Sequence, residues 1–432
     1  MIIFYLVVLL CAVPKHPWFG AEVAGFTLAK YLGILSILYA FFAIVRGRRL
    51  PGFFDNLSGR LYVILFVWAF TSSFTFIGIV ALTRWVFQAY ISTLFLLFVV
   101  MVCVDSLRKL EYTALAFVGA LDLAALYVLR EYQRLGFGDT RVGWVAGDGN
   151  YFAAATLLAM PVAFHLMSVA RTRAQRWFYL GSTVTIFPAF VVTGSRGGFA
   201  GLCALFGIMF LRYKKKSRVL LVGVLMVPIL LFAPMSPIKR LTDPNYGDTL
   251  SADDHLKLWK FGVQAALQNP VFGIGLSNFK RFAARAHVTE RGDGYVAHNT
   301  YVEFAAELGV LGFLLYMGIV SSTLILLEKV RRRAKVLRHR YLEALAIGLQ
   351  EGLIGFGVAA FFVSAQYQKP LWIAIFLTTP LAAIARREFA LIKNRRRAQV
   401  ENKAVTACDP DYGEALAVGS AQGQIGRPLQ LS

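Results

Sequence analysis

Two short stretches hold residue types that could act on a charged, phosphate-bearing substrate. The first is Thr193, Gly194, Ser195, Arg196, Gly197, Gly198. Glycines beside an arginine let a ligand approach the backbone. A helix starting there presents unpaired N–H groups and the positive end of its dipole, and a guanidinium grips phosphate in a bidentate way. The second is His298 and Asn299, followed by Glu303, Glu307, Gly309 and Gly312. A histidine at a helix start in reach of water can serve as a general base or as a donor to phosphate. Glu303 and Glu307 fall one and two turns further along related faces. Each stretch also has a bland reading, Arg196 as an interfacial side chain reaching for lipid phosphate and His298 as a helix cap. From the residues alone the readings stand level.

Between these stretches lies a polar segment, residues 235–298, that opens on Lys239 and Arg240. A short amphipathic helix is predicted from Ser251, with Asp254 at capping-box spacing and Pro270 ending the pattern. Leu256, Trp259, Val263 and Leu267 share one face, and His255, Lys257 and Lys260 lie off it. The helix is expected to lie on a membrane surface or cap a cavity. A turn at Gly273 to Gly275 precedes Lys280, Arg281 and Arg285. With 8 cations against 6 carboxylates, the segment has no strong diffuse field, so particular side chains must carry any chemistry. Arg141, Gly143, Asp148, Gly149 and Asn150 form a further polar run that either lines the same cavity or only joins two helices. Asp122 and Glu351 sit inside apolar runs, where ionisable groups mark function or bond helix to helix.

The elements that must position these residues are membrane helices. The 432 residues are 57% hydrophobic with mean hydropathy +0.60, well beyond a soluble domain. Apolar runs predict about twelve spans, at 1–13, 27–45, 61–82, 86–104, 113–129, 150–169, 177–193, 197–211, 218–234, 299–327, 343–364 and 370–385. The first is short and lacks a basic flank, which favours a span over a cleaved leader. Of the 45 Lys and Arg, 29 gather in alternate loops and the C-terminal tail, including Lys214 to Lys216 and Arg331 to Arg333. That places those loops and both termini in the cytoplasm, and it accounts for the net charge of +21 without nucleic acid. The expected organisation is helices over 1–234, a large periplasmic loop over 235–298, helices over 299–385, and a basic, disordered cytoplasmic tail over 386–432. Cys11, Cys103, Cys203 and Cys408 show no CxxC pair or metal-ligand spacing, so neither disulfide nor zinc is expected.

In this order the segments resemble the O-antigen ligase family of bacterial membrane glycosyltransferases, over about residues 25–385. The most specific part is His298, Asn299, nine residues, Gly309, two residues, Gly312, although Phe313 stands where some ligases have threonine. Ser195 to Gly198, Asp148 to Pro161, and Trp259 through Asn269, Pro270, Gly273, Gly275 and Phe279 are similar to further family landmarks. Many members carry arginine four residues before that tryptophan. Here the position holds His255, with Arg240 fifteen residues upstream.

The resemblance implies an all-α, GT-C-like fold in the bacterial inner membrane. It would transfer a glycan from a polyprenyl-pyrophosphate carrier to an acceptor hydroxyl at the periplasmic face, inverting, with no cofactor and no metal. Arg196 and His298 are then the expected catalytic groups. Arg240, His255 and Arg141 would bind pyrophosphate, with Asn299 and Glu303 in support. The acceptor would be lipid A core, a polysaccharide or a protein. The alternatives are a polymerase of the same family, a protein O-oligosaccharyltransferase and, from another class, a transporter or flippase of lipid-linked glycan. Paired broken helices with midplane polar groups would mark the last.

Overall fold

In a computed structural model of the chain, the described residues are 2–11, 22–23, 26–47, 56–77, 86–137, 142–143, 148–213, 216–232, 236–238, 252–289 and 295–408. They are almost entirely helical. A two-residue antiparallel ladder, Glu22–Val23 (β1) with Phe26–Thr27 (β2), precedes the helix Leu28–Val45 and leaves the all-helical reading standing. Two units are present, Met1–Ile384 and Ala385–Ser432.

Every predicted apolar run contains a helix. They are α1 (Ile2–Cys11), α2 (Leu28–Val45), α3 (Leu57–Ile77), α4 (Val86–Cys103), α5 (Leu107–Arg134), α6 (Gly149–Met167), α7 (Arg173–Val191), α8 (Arg196–Arg212) and α9 (Lys216–Phe232), followed after the polar segment by three more. Among the described residues, five helices are long and apolar enough to cross a membrane: α2, α5, α6, Thr300–Leu337, and Arg340 on to Phe362. A multi-pass helical membrane protein therefore stands. The larger number of crossings does not follow from helix length and composition, because α8 and α9 have 17 residues each and α1 has 10.

Within the polar segment, α10 (Ala252–Gln268) and α11 (Phe279–Arg285) fold against the start of α12 (Thr300–Leu337). Leu258, Ala265, Ile274, Phe279, Ala283, Ala297 and Ala306 make a small core of their own. The face of α10 predicted to be apolar is only partly used. Leu256, Val263 and Leu267 are exposed, and the buried face carries Leu258, Gly262 and Ala265.

The chain then turns back through α13 (Arg340–Ala359) and a 3₁₀ turn, Ala360–Phe362. α13 lies closely on α6 and α8. Added Cβ atoms at Gly348 and Gly352 would come within 3 Å of α6 backbone, and one at Gly201 within 2.6 Å of the Gly355 carbonyl. Small residues that let backbones approach are the common means of packing helices where lipid removes the hydrophobic drive. The last helix, α14 (Lys369–Cys408), continues past residue 385, where a tail was predicted. The run from Ala382 is rich in Ala, Arg, Glu and Lys with no Gly or Pro until Pro410, so helix propensity carries on where hydropathy stops. Residues 409–432 lie outside the described set.

Candidate functional site

Three helix starts and one helix end meet at one end of the bundle. The turn before α8 is built on local chemistry. Gly194 adopts φ 61°, and the Ser195 hydroxyl caps α8 by accepting from the Gly198 amide at 3.0 Å. The same hydroxyl donates to Asn150 Oδ1 at 2.7 Å, which ties this turn to the start of α6, itself capped by Asp148. Arg196 occupies the first position of α8 and is exposed. The flanking glycines do not open a path to a ligand, as their types suggested. A Cβ at Gly197 would stand 2.4 Å from Phe362 Cβ, and one at Gly198 2.7 Å from Ala153 Cβ. They let α8 pack against the 3₁₀ turn and α6.

The same 3₁₀ turn leads to the start of α12. Thr300 Oγ1 donates to the Val363 carbonyl at 2.6 Å and accepts from the Ala365 amide at 2.9 Å. Residues 360–365 thus lie between the Arg196 turn and the His298 turn and fix both to one end of the molecule. Gln368 reaches across to the Tyr151 carbonyl on α6 at 3.2 Å.

His298 precedes the cap of α12. Asn299 Oδ1 accepts from the Tyr301 and Val302 amides at 3.0 and 3.1 Å. His298 itself adopts φ 49°, a left-handed conformation that a non-glycine residue keeps only when its surroundings over-determine it. They do so through Ala297, which is fully buried. Its carbonyl accepts from the Trp259 indole at 3.0 Å, and its amide donates to Glu303 Oε2 at 3.1 Å. Ser364 donates to the same Glu303 oxygen, and Gln366 donates to Oε1 at 2.6 Å. Glu307 is occupied likewise, by the Phe279 amide at 3.3 Å and the Tyr367 hydroxyl at 2.7 Å. The carboxylates inward of His298 hold loops in place.

His255 is brought onto His298 by a face of α10 that it shares with Trp259, a member of the predicted apolar stripe. Residues 255, 259 and 262 recur at helical spacing. His255 meets the His298 ring, Trp259 holds Ala297, and a Cβ at Gly262 would lie 2.3 Å from Val302 Cγ1. The two imidazoles have centroids 5.3 Å apart and planes at 80°, an edge-to-face pair. Both are half-buried.

Gly309 and Gly312, read as glycines inside a span, mark a break. Gly309 has φ 71° and ψ −179°, which interrupts α12. The freed backbone groups are taken up from elsewhere. Val310 N–H donates to Pro270 O at 2.8 Å, while the carbonyls of Ala306 and Glu307 accept from Ile274 and Gly275 at 2.9 Å each. Leu308 O accepts from the Trp68 indole of α3 at 3.0 Å. Buried backbone polar groups must find partners, so the Gly273 to Gly275 turn and the Gly309 break require each other.

Arg141 and Arg240 lie outside the described residues. Asp122 sits beside Ser182 and Thr185 on α7, and Glu351 pairs with His165 at 2.7 Å. Glu351 is eleven residues from Phe362, about 16 Å along the helix, so this buried pair joins α13 to α6 away from the turns just described. Among the described residues, no group of three His, Cys, Asp or Glu is placed to hold a metal ion. Sequence reasoning missed the segment Ser364 to Gln368, whose signal was a polar run between two apolar ones.

Residues 181–317 match the model of the family described as O-antigen ligase. The match takes in Arg196, Arg240, His255, His298, Asn299 and Glu303, and leaves out Arg141. No curated protein matches the chain.

Proposed function

We propose that this protein is an inverting membrane glycosyltransferase of the O-antigen ligase kind, which moves a glycan from a polyprenyl-pyrophosphate carrier to an acceptor hydroxyl at the periplasmic face. The observation that carries the reading is the convergence of the Arg196 turn, the His298 turn and His255 at one end of the bundle, all within the matched segment. In this reaction His298 takes the proton of the acceptor hydroxyl, whose oxygen attacks the anomeric carbon from the face opposite the leaving group. The bond from that carbon to the pyrophosphate oxygen breaks, and the carrier leaves as its pyrophosphate. Negative charge develops on the leaving phosphate, where Arg196 and His255, joined by Arg240 and Arg141 from their loops, would stabilise it. Asn299 and Glu303 position the base. No residue is assigned to a metal or cofactor.

The charge asymmetry of the loops supports an inner-membrane orientation with both termini cytoplasmic and the site outside.

The test is transfer by purified protein from a lipid-linked glycan. His298→Ala should abolish transfer and leave donor binding largely intact, and normal turnover by the variant removes His298 from the mechanism. Ligase and polymerase are told apart by deletion. Accumulated lipid-linked polymer marks the ligase, and accumulated single repeats mark the polymerase.

A further inference from the structure

We propose that His255 and His298 titrate as a coupled pair and that the active state holds one proton between them, with His255 as imidazolium toward the leaving pyrophosphate and His298 neutral toward the acceptor. This rests on the transferase reading and adds the regulation of its site.

The geometry makes the two rings one unit. Their centroids are 5.3 Å apart at 80°, so the edge of one ring addresses the face of the other. A cationic ring against a neutral aromatic face is attractive, and two cationic rings repel. The rings are held in this relation by the backbone. His255 shares a face of α10 with Trp259 and Gly262, which are locked on Ala297 and Val302, and His298 is fixed by the Ala297 peptide. The backbone positions that carry the two rings are thereby held near one another.

Repulsion between two charged rings at this spacing acts whatever else each ring contacts. On α12, Glu303 and Glu307 are spent on Ala297, Ser364, Gln366, Phe279 and Tyr367. On α10, Asp253 pairs with Lys257 at 2.9 Å, with Asp254 and Lys260 nearby on the same helix. α11 carries Lys280, Arg281 and Arg285, all exposed. Coulomb repulsion at this spacing, with an effective dielectric of about 20 to 40, separates the two protonation steps by about one to two pH units.

Transfer should therefore follow a bell-shaped pH profile, with an alkaline limb from loss of the His255 proton and an acid limb from protonation of His298. His255→Arg supplies a permanent cation, so the alkaline limb should disappear while the acid limb stays. His255→Gln should slow transfer at every pH. It should also move the acid limb upward by about one to two units, because His298 then binds its proton without a charged neighbour. Imidazole nitrogen NMR on the full chain in nanodiscs reads the same shift without turnover, and only six histidines need assignment. A His298 titration unchanged by His255→Gln overturns the pairing, as does a wild-type bell retained in His255→Arg. If NMR finds the coupling but His298→Ala transfers normally, the transferase reading of the site is what fails, and the catalytic half of the proposal with it.

Discussion

Replacing Gly309 by alanine probes the break that positions the first two turns of α12. At φ 71° and ψ −179° the backbone is in a region that only glycine visits readily, at a cost of about 1–3 kcal/mol for other residues. The new Cβ would also stand 2.3 Å from Val271 O and 2.6 Å from Pro270 O, so the segment from Pro270 to Gly275 must shift. That shift strains three backbone hydrogen bonds, to Pro270 O, from Ile274 and from Gly275, each contributing about 1 kcal/mol net. The combined loss is about 4–6 kcal/mol, a fall of roughly 8 to 15 °C in apparent melting temperature. Gly207→Ala is the internal control. It lies mid-helix in α8 with nothing within 4 Å of an added Cβ, so alanine there should leave stability unchanged or raise it by up to about 1 kcal/mol. Thermal unfolding of the two purified variants in one detergent makes the comparison. The reasoning is refuted if Gly309→Ala melts with the wild type or above Gly207→Ala.

Arg196→Lys keeps the charge but loses the planar fork. It should slow transfer between about thirtyfold and a thousandfold, for about 2–4 kcal/mol of transition-state stabilisation, and a normal rate at normal expression would make Arg196 an interfacial anchor only. Trp259→Phe removes the donor to Ala297 O, worth about 1 kcal/mol, and should lower kcat about fivefold with donor KM unchanged. A raised donor KM with unchanged kcat would show that Trp259 acts on binding instead. Single cysteines at Asn245 and Gln422 test orientation with an impermeant reagent on intact cells. Labelling at 245 and protection at 422 is expected, and the reverse pattern sinks the topology.

The candidate residues were legible because their types are rare where they stand. An arginine among glycines between two apolar runs, and a histidine with asparagine just before another, interrupt a pattern that otherwise repeats without charge. The helices were legible for the same reason, since apolar runs in a 57% hydrophobic chain mark them directly. The end of the last helix was missed. Past residue 385 it depends on propensity, to which hydropathy does not respond.

What the tertiary structure decided are the relations between distant segments. Nothing in the order of residues says that the Leu308 carbonyl is served by Trp68, 240 positions away, or that residues 360–365 lie between two catalytic candidates. The role of the glycines at 197 and 198 was likewise misread, because a residue without a side chain suits ligand approach and helix packing equally until its neighbour is known. His255 is the clearest case. Periodicity put it off the stripe of Leu256, Trp259, Val263 and Leu267, and the structure leaves three of those four exposed. That the face it occupies is the one turned to His298 depends on where Gly262 meets Val302, and such a contact between helices is set by packing in three dimensions, to which no local pattern responds.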